Sequence, residues 1–325
     1  VPDSTSAPRP IFEKERNPVT EELKLIKDYR KDDPLRTSFN TLSKSTFDLD
    51  FEDWYRNGYW TDKYNPYSIV MDNKVVANVS VNRMEFESDG KIRKYLQLGT
   101  VMVDPKYRHQ GLIRRLMLEV EKDYLEKVDG IYLFANDSVV RFYPKFGYRT
   151  ATEYRYTKEI SRPVDAAGVA GATQASLVRN HTYARPVPMN NKEDWATLEE
   201  AIDRSAGNSA FDMKNNKGLI MFYVTKFMQS NVYFVESEGA YVIAEIEDAD
   251  LFLHAIYSPE PAELNRIIEA FGEGIRKVTF GFTPLNDKDY QIEELNEENT
   301  TLFVKGRGFD WLEQKKYMFP TLSHA

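Results

Sequence analysis

Between Leu96 and Tyr148 the hydrophobic period of the chain changes several times. Leu96, Leu98, Val101 and Val103 form an apolar run rich in β-branched residues, which predicts a buried strand that Asp104-Pro105 stops. After the polar loop Arg108-His109-Gln110-Gly111, apolar residues recur at Leu112, Ile113, Leu116, Met117, Val120 and Tyr124. That three-and-four spacing predicts a helix with one buried face. A second strand and a second helix are expected through GIYLFANDSVVRFYPKFGY. Upstream, Leu23, Ile26 and Tyr29 predict a helix starting near Thr20, with Glu21 and Glu22 suited to its first turn. Strands are predicted at Tyr67–Met71 and Val75–Glu85, parted by the turn Asp72-Asn73-Lys74. After Tyr148, ATEYRYTKEI alternates as a closing strand of the same unit.

The composition then shifts to small residues over 162–183, the look of a linker. Beyond it the same rough order returns. Helices are predicted over Asp194–Ile202, Leu219–Phe227 and Ala262–Phe271, and strands over Val232–Val235, Ala240–Glu245, Leu251–Ile256 and Lys277–Phe282. Antiparallel strands on tight turns, then strand, helix, strand, helix, define an α+β class: a mixed, mostly antiparallel sheet flanked by helices. Two such domains are expected, over 19–161 and 184–325, with a loose Pro- and Ser-rich arm at 1–18.

A length of 325 residues supports two domains, and 42% hydrophobic with 29% charged residues describes an ordinary globular protein. No apolar run approaches 18 residues, so no membrane span is expected, and the start VPDSTSAPRP does not read as a signal peptide. The absence of cysteine excludes thiolate catalysis and Cys-ligated zinc and is compatible with the cytoplasm, the expected location. Four scattered histidines show no metal-ligand spacing, so no metal is expected. A net charge of −8 argues against wholesale nucleic-acid binding and mildly favours a cationic small-molecule partner. Oligomeric state is not legible.

Gly111 stands where strand turns into helix, and a helix N-terminus carries unpaired amides and the positive end of the dipole. Phosphate binds there readily, and a glycine lets the backbone approach it. Lys106, Arg108, His109, Arg114 and Arg115 crowd the same loop. The Gly-x-Gly-x-x-Gly fingerprint and the P-loop are both absent. Arg108, Gly111 and Ile113 instead fit the pattern Arg/Gln-x-x-Gly-x-Gly/Ala, with Ile113 where the small residue stands. Asn136 and Tyr143 in ANDSVVRFYPKFGY fit a second pattern, a strand-ending asparagine followed by Phe-Tyr-x-x-x-Gly-aromatic. In this order and spacing the pair resembles the signature of the GNAT superfamily of acyl-CoA-dependent N-acyltransferases.

The resemblance implies an acetyl-CoA-dependent N-acetyltransferase acting on a primary amine of a small molecule or peptide. It implies that the backbone of Val101, Met102 and Val103 pairs with the pantetheine arm and contacts the thioester carbonyl. The amides of Arg108, His109, Gln110, Gly111, Leu112 and Ile113 would cradle the pyrophosphate, with Arg114 or Lys106 meeting a further phosphate. Asn136 would touch the pantetheine amides. Tyr143 is the expected general acid, a phenol of pKa ~10 beside a thiol of pKa ~8.5. For the base, Glu85 is the first candidate, with Glu87, Glu153 or a water chain as others. The aromatic stretch from Phe47 to Tyr64 is core or part of an acceptor wall. The second half lacks the glycine, and Glu260 and Glu263 in SPEPAELNRI would repel phosphate. That half is expected to be GNAT-like without a coenzyme site. A non-catalytic acyl-CoA sensor or scaffold is the alternative. A tRNA-dependent aminoacyl transferase would need a basic channel and a helical arm, and neither is seen.

Overall fold

The computed structural model describes residues 22–161, 183–286 and 288–324; the expected arm and nearly all of the expected linker lie outside them. The chain runs through β1 (Lys24–Lys27), α1 (Asp33–Phe47), α2 (Glu52–Arg56), β2 (Tyr64–Met71), β3 (Lys74–Ser88) and β4 (Lys91–Val103). It continues with α3 (Leu112–Tyr124), β5 (Gly130–Ala135), β6 (Arg149–Thr150) and β7 (Tyr154–Glu159). Next come β8 (Ala184–Pro186), α4 (Lys192–Arg204), β9 (Asp212–Lys214), α5 (Lys217–Lys226), β10 (Val232–Val235) and β11 (Ala240–Glu247). The last elements are β12 (Asp250–Tyr257), α6 (Leu264–Ala270), β13 (Lys277–Phe280), β14 (Gln291–Glu294), β15 (Thr301–Lys305) and α7 (Asp310–Gln314).

Two sheets result. The first runs β1-β2-β3-β4-β5-β15-β6, with β9 added to β3, and the second runs β8-β10-β11-β12-β13-β7-β14. Each is mixed and mostly antiparallel: only β4 with β5, and β12 with β13, are parallel. The α+β class read from the sequence is therefore the observed one.

Local chemistry explains most elements. α1 begins where the Asp32 carboxylate accepts the Leu35 amide (3.1 Å) and ends at Asp48 in the left-handed region. α3 buries Leu112, Ile113, Leu116, Met117 and Val120 against Val79, Val81, Leu96 and Leu98 of β3 and β4. The aromatic stretch packs as core, with Phe51 and Trp54 against Phe222 of α5 at ring separations of 5.4 and 5.3 Å. A further aromatic cluster covers the first sheet, with Phe86 stacked on Phe211 (4.4 Å) and Tyr132 on Phe319 (4.0 Å).

Three expectations are corrected. Residues 24–27 are a strand paired with β2, not part of a helix, and Lys27 reaches Glu119 and Asp123 of α3 at 2.7 Å. Three apolar residues at spacing three are too few to separate the two periods. After Asn136 the chain forms two short 3₁₀ turns, Asp137–Val139 and Tyr143–Phe146, rather than a helix. Pro144 lacks an amide for helical bonding, and Gly147 (φ +80°) ends the second turn. The strand at Tyr154–Glu159 does not close the first sheet. It lies between β13 and β14 of the second, and β15 fills the corresponding place beside β5. Alternation marks a strand but carries no address for its partner.

Candidate active site

β4 pairs with β3 as far as Val103, but on its other side its pairing with β5 stops at Gln97 opposite Tyr132. Beyond that point the two parallel strands separate, and the edge of β4 from Leu98 to Val103 faces a cleft of about 890 Å³. The edge is bent. Thr100 has φ +48°, and the β3–β4 register shifts between Asn78 and Ser80, which is a bulge of the kind that re-aims backbone groups. Asn78 Nδ2 donates to the Thr100 carbonyl at 2.8 Å, and the Tyr64 and Thr100 hydroxyls bond to each other. These contacts hold the bulge in place.

At one end of the cleft the strand passes into the basic loop. Asp104 accepts the Lys106 amide (2.9 Å), and His109 (φ +63°) and Gly111 (φ +72°) turn the chain into α3. The Arg115 amide closes the first helical turn on the Gly111 carbonyl (3.0 Å). The amides of Leu112, Ile113 and Arg114 therefore sit in the turn that has no intrahelical acceptors, at the positive end of the dipole. A Cβ on Gly111 would meet nothing within 4 Å. A side chain there would occupy the open space in front of those amides. Ile113 is buried in the core beneath α3, so its bulk lies in packing, while Lys106, Arg108, His109, Gln110 and Arg114 are exposed.

Asn136 ends β5 on the opposite wall. Its Oδ1 accepts the Ser138 hydroxyl (2.5 Å), and its side chain makes no capping bond to the following turn. Tyr143 is buried against Phe142, Tyr148 and Phe303, and burial pushes its phenol up to about 12. Val101, Met102, Val103, the loop from Arg108 to Arg114, Asn136 and Tyr143 thus line one cleft.

Glu85 is not brought to it. Its Oε2 accepts Asn215 Nδ2 at 2.7 Å, on the stretch of β3 that pairs with β9. Glu87 faces Lys214 at 3.3 Å. Glu153 is buried outside the cleft, where its Oε1 accepts the Phe319 amide (2.7 Å) and burial raises its carboxyl to about 8. Among the described residues no Asp or Glu side chain lines the cleft, so none of the three candidate bases is placed there. Among the described residues, no group of His, Cys, Asp and Glu could hold a metal ion. No helix among them is long and apolar enough to cross a membrane.

The cleft also contains residues that local sequence did not announce. Phe222 and Tyr223 come from α5, Phe227 follows its end, and His324 comes from the far end of the described chain. His324 stacks on Phe134 at 3.7 Å, its carbonyl accepts the Tyr223 hydroxyl, and burial lowers its imidazole to about 4. The apolar spacing of α5 predicts a helix but not which cavity it walls. His324 has no local signal at all.

The open parallel-strand fork and the amide-rich helix start at its mouth both lie within the segment that comparison with known proteins picks out. Residues 33–151 match the family model described as an Acetyltransferase (GNAT) domain. No curated protein matches the chain. Among solved structures, a probable N-acyltransferase from Enterococcus faecalis superposes with a TM-score of 0.53 at 14% identity, over 87% of this chain and 72% of that one. A GCN5-related N-acetyltransferase from Kribbella flavida gives 0.52 at 17% identity, over 90% and 73%. One from Anabaena variabilis gives 0.50 at 15%, over 87% and 72%. At these identities the likeness is one of fold, and it extends over both sheets.

Proposed function

We propose that this protein is an N-acetyltransferase that moves an acetyl group from acetyl-CoA to a primary amine. The observation that supports it best is the meeting of three features in one cleft: the unpaired edge of β4, the first-turn amides of α3 and the phenol of Tyr143. The amides from Arg108 to Arg114 would hold the pyrophosphate, with Arg114 and Lys106 as countercharges. The peptide groups of Val101, Met102 and Val103 would pair with the pantetheine arm as an added strand, and Asn136 would meet it from the other wall. Bound there, acetyl-CoA supplies an acyl carbon already activated as a thioester.

Tyr143 keeps its proton on Oη through neutral and mildly alkaline pH, since burial raises it to about 12. It presents a donor to the departing sulfur. Complete transfer to a thiolate of pKa ~8.5 would be uphill by about 5 kcal/mol. A hydrogen bond that strengthens as charge grows on sulfur therefore accounts for its role better than full proton release. Placing Glu85 as the base receives no support from its position, and a water chain takes that role in this reading. The second sheet is read as a GNAT-like unit without a coenzyme site.

The test is release of free thiol from acetyl-CoA in the presence of amines, alongside calorimetry of acetyl-CoA binding. Transfer with measurable affinity supports the proposal. Binding without transfer to any amine would return the chain to a sensor or scaffold, and absence of binding would end both readings.

A further inference from the structure

Beyond the residues assigned to the coenzyme, the cleft has a wall that is largely aromatic. Phe51, Trp54 and Tyr64 from the α1–β2 region pack with Phe222 of α5 on one side of it, beside Leu219 and, just past the helix, Phe227. Phe51 stacks on Phe222 with the rings 12° from parallel, and Trp54 stands against both. At the mouth, Phe47 is 41% and Phe227 54% exposed, among the few large apolar side chains of the described residues that face solvent. Apolar surface left open around a concave site marks the binding of an apolar partner.

Among the described residues, no charged side chain belongs to this aromatic wall. Two acidic groups that flank Phe51 are engaged with the chain itself: Asp50 accepts the Glu52 amide (2.8 Å), and Glu52 pairs with Arg36 and Arg56 (2.9 and 3.0 Å). The titratable groups that do line this part are Tyr64, Tyr223 and His324. Burial raises both phenols and lowers the imidazole to about 4, so all three are neutral at pH 7. A polycation such as a polyamine or an aminoglycoside would enter with several ammonium groups and meet no Asp or Glu side chain of the described residues. Each would lose hydration without a partner. A single amine on an aromatic or alkyl body instead buries its body against these rings and shifts toward the neutral nucleophile that acyl transfer needs.

We infer that the acceptor is an arylalkyl or alkyl monoamine, held by the aromatic wall of Phe51, Trp54, Phe222 and Phe227. This rests on the acetyltransferase reading above, deepening it to a substrate class.

The experiment uses the full chain with acetyl-CoA and four acceptors: 2-phenylethylamine, tryptamine, spermidine and kanamycin. Free-thiol release gives kcat/KM, and calorimetry in the presence of coenzyme A gives the affinity of each amine independently of transfer. At least a tenfold preference in kcat/KM for the two aromatic monoamines is expected, with matching order in affinity. Phe222→Glu should shift the ratio toward spermidine by at least tenfold, with acetyl-CoA affinity serving as the check that this variant is folded. Should it fail to fold, the wild-type ratio decides alone. Equal or better use of spermidine or kanamycin overturns the substrate class and leaves the transferase reading standing. Binding of the aromatic amines without transfer supports the class while removing the reaction. Failure of all four to bind or react overturns the class.

Discussion

The two sheets have the same strand order and the same directions, yet only one opens into a cleft. In the first, β4 and β5 part after three parallel pairs and leave about 890 Å³ beside the free edge. In the second, β12 and β13 part after four, and the chain fills the gap itself. The Ala206 amide bonds to the Ser258 carbonyl (2.9 Å), Asn208 Nδ2 to the Ile256 carbonyl (3.1 Å), and the Ala210 amide to the Thr283 carbonyl (2.8 Å). What remains is a cavity of about 40 Å³ beside His254 and Leu322. The helix starts differ in the same sense. Ahead of α6, the Glu263 carboxylate accepts the Asn265 amide (3.4 Å) and Glu238 accepts that of Glu263 (2.9 Å), so the amides already face carboxylates. One topology therefore supports an open site or a closed one, and the difference lies in whether the chain satisfies its own backbone at the fork.

The comparison can be broken from the open side first. Gly111→Trp places a bulky side chain where the amides of α3 face open space and forces a non-glycine residue to φ +72°. Acetyl-CoA affinity measured by calorimetry should fall at least ~100-fold; unchanged affinity would remove the loop from binding. Tyr143→Phe should lower kcat by ~10²-fold or more, in the range of a lost acid or oxyanion-type donor, while acetyl-CoA affinity stays within about twofold. Equal activity would take the phenol out of the reaction.

The closed side gives smaller effects, on stability. Glu153 pins Phe319, next to the residues that plug the second fork. Its folded carboxyl, at about 8, lies above the ordinary 4.5, so the folded state holds a proton that the unfolded state has lost between those values. Stability contributed by this group is present below pH 4.5 and declines as pH rises toward 8, by an amount on the order of a few kcal/mol. Glu153→Gln should flatten that decline in denaturant titrations at pH 5 and pH 8; an unaltered slope would mean the carboxyl titrates normally. Asn208→Ala removes the donor to Ile256 and the acceptor of the Ala262 amide (2.7 Å). It should cost ~1–3 kcal/mol in chemical denaturation. Calorimetry should still find one acetyl-CoA per chain, and two would show the second fork to be a site.

Much of the open half was legible. The helix Leu112–Tyr124 follows from its apolar period, the loop before it from Pro105 and Gly111, and the order of strands from turns such as Asp72-Asn73. Residues 108–114, 136 and 143 were grouped from two short patterns and residues 101–103 from the resemblance those patterns carry, and all of them line one cleft. Glu85 was misplaced because alternation along β3 gives a face but not what lies across it: at that level the neighbour is β9, supplied by a segment some 130 residues later. The net charge that mildly favoured a cationic partner says little of the cleft for a related reason: it is a sum over the whole surface and does not place any one carboxylate.

By itself the sequence determined what short-range physics can determine: the periods of helices and strands, the glycine turn with its basic neighbours, and the apolar character of α5 and the Phe47–Tyr64 stretch. Only the tertiary structure decided that β7 and β15 lie in each other's sheets, that His324 lies beside Phe134, and that one fork is open while its counterpart is closed. Hydrogen-bonding edges and apolar faces are generic, so a strand's pattern says that it must be paired and covered. Which distant segment does so is settled by the competition among all of them at once.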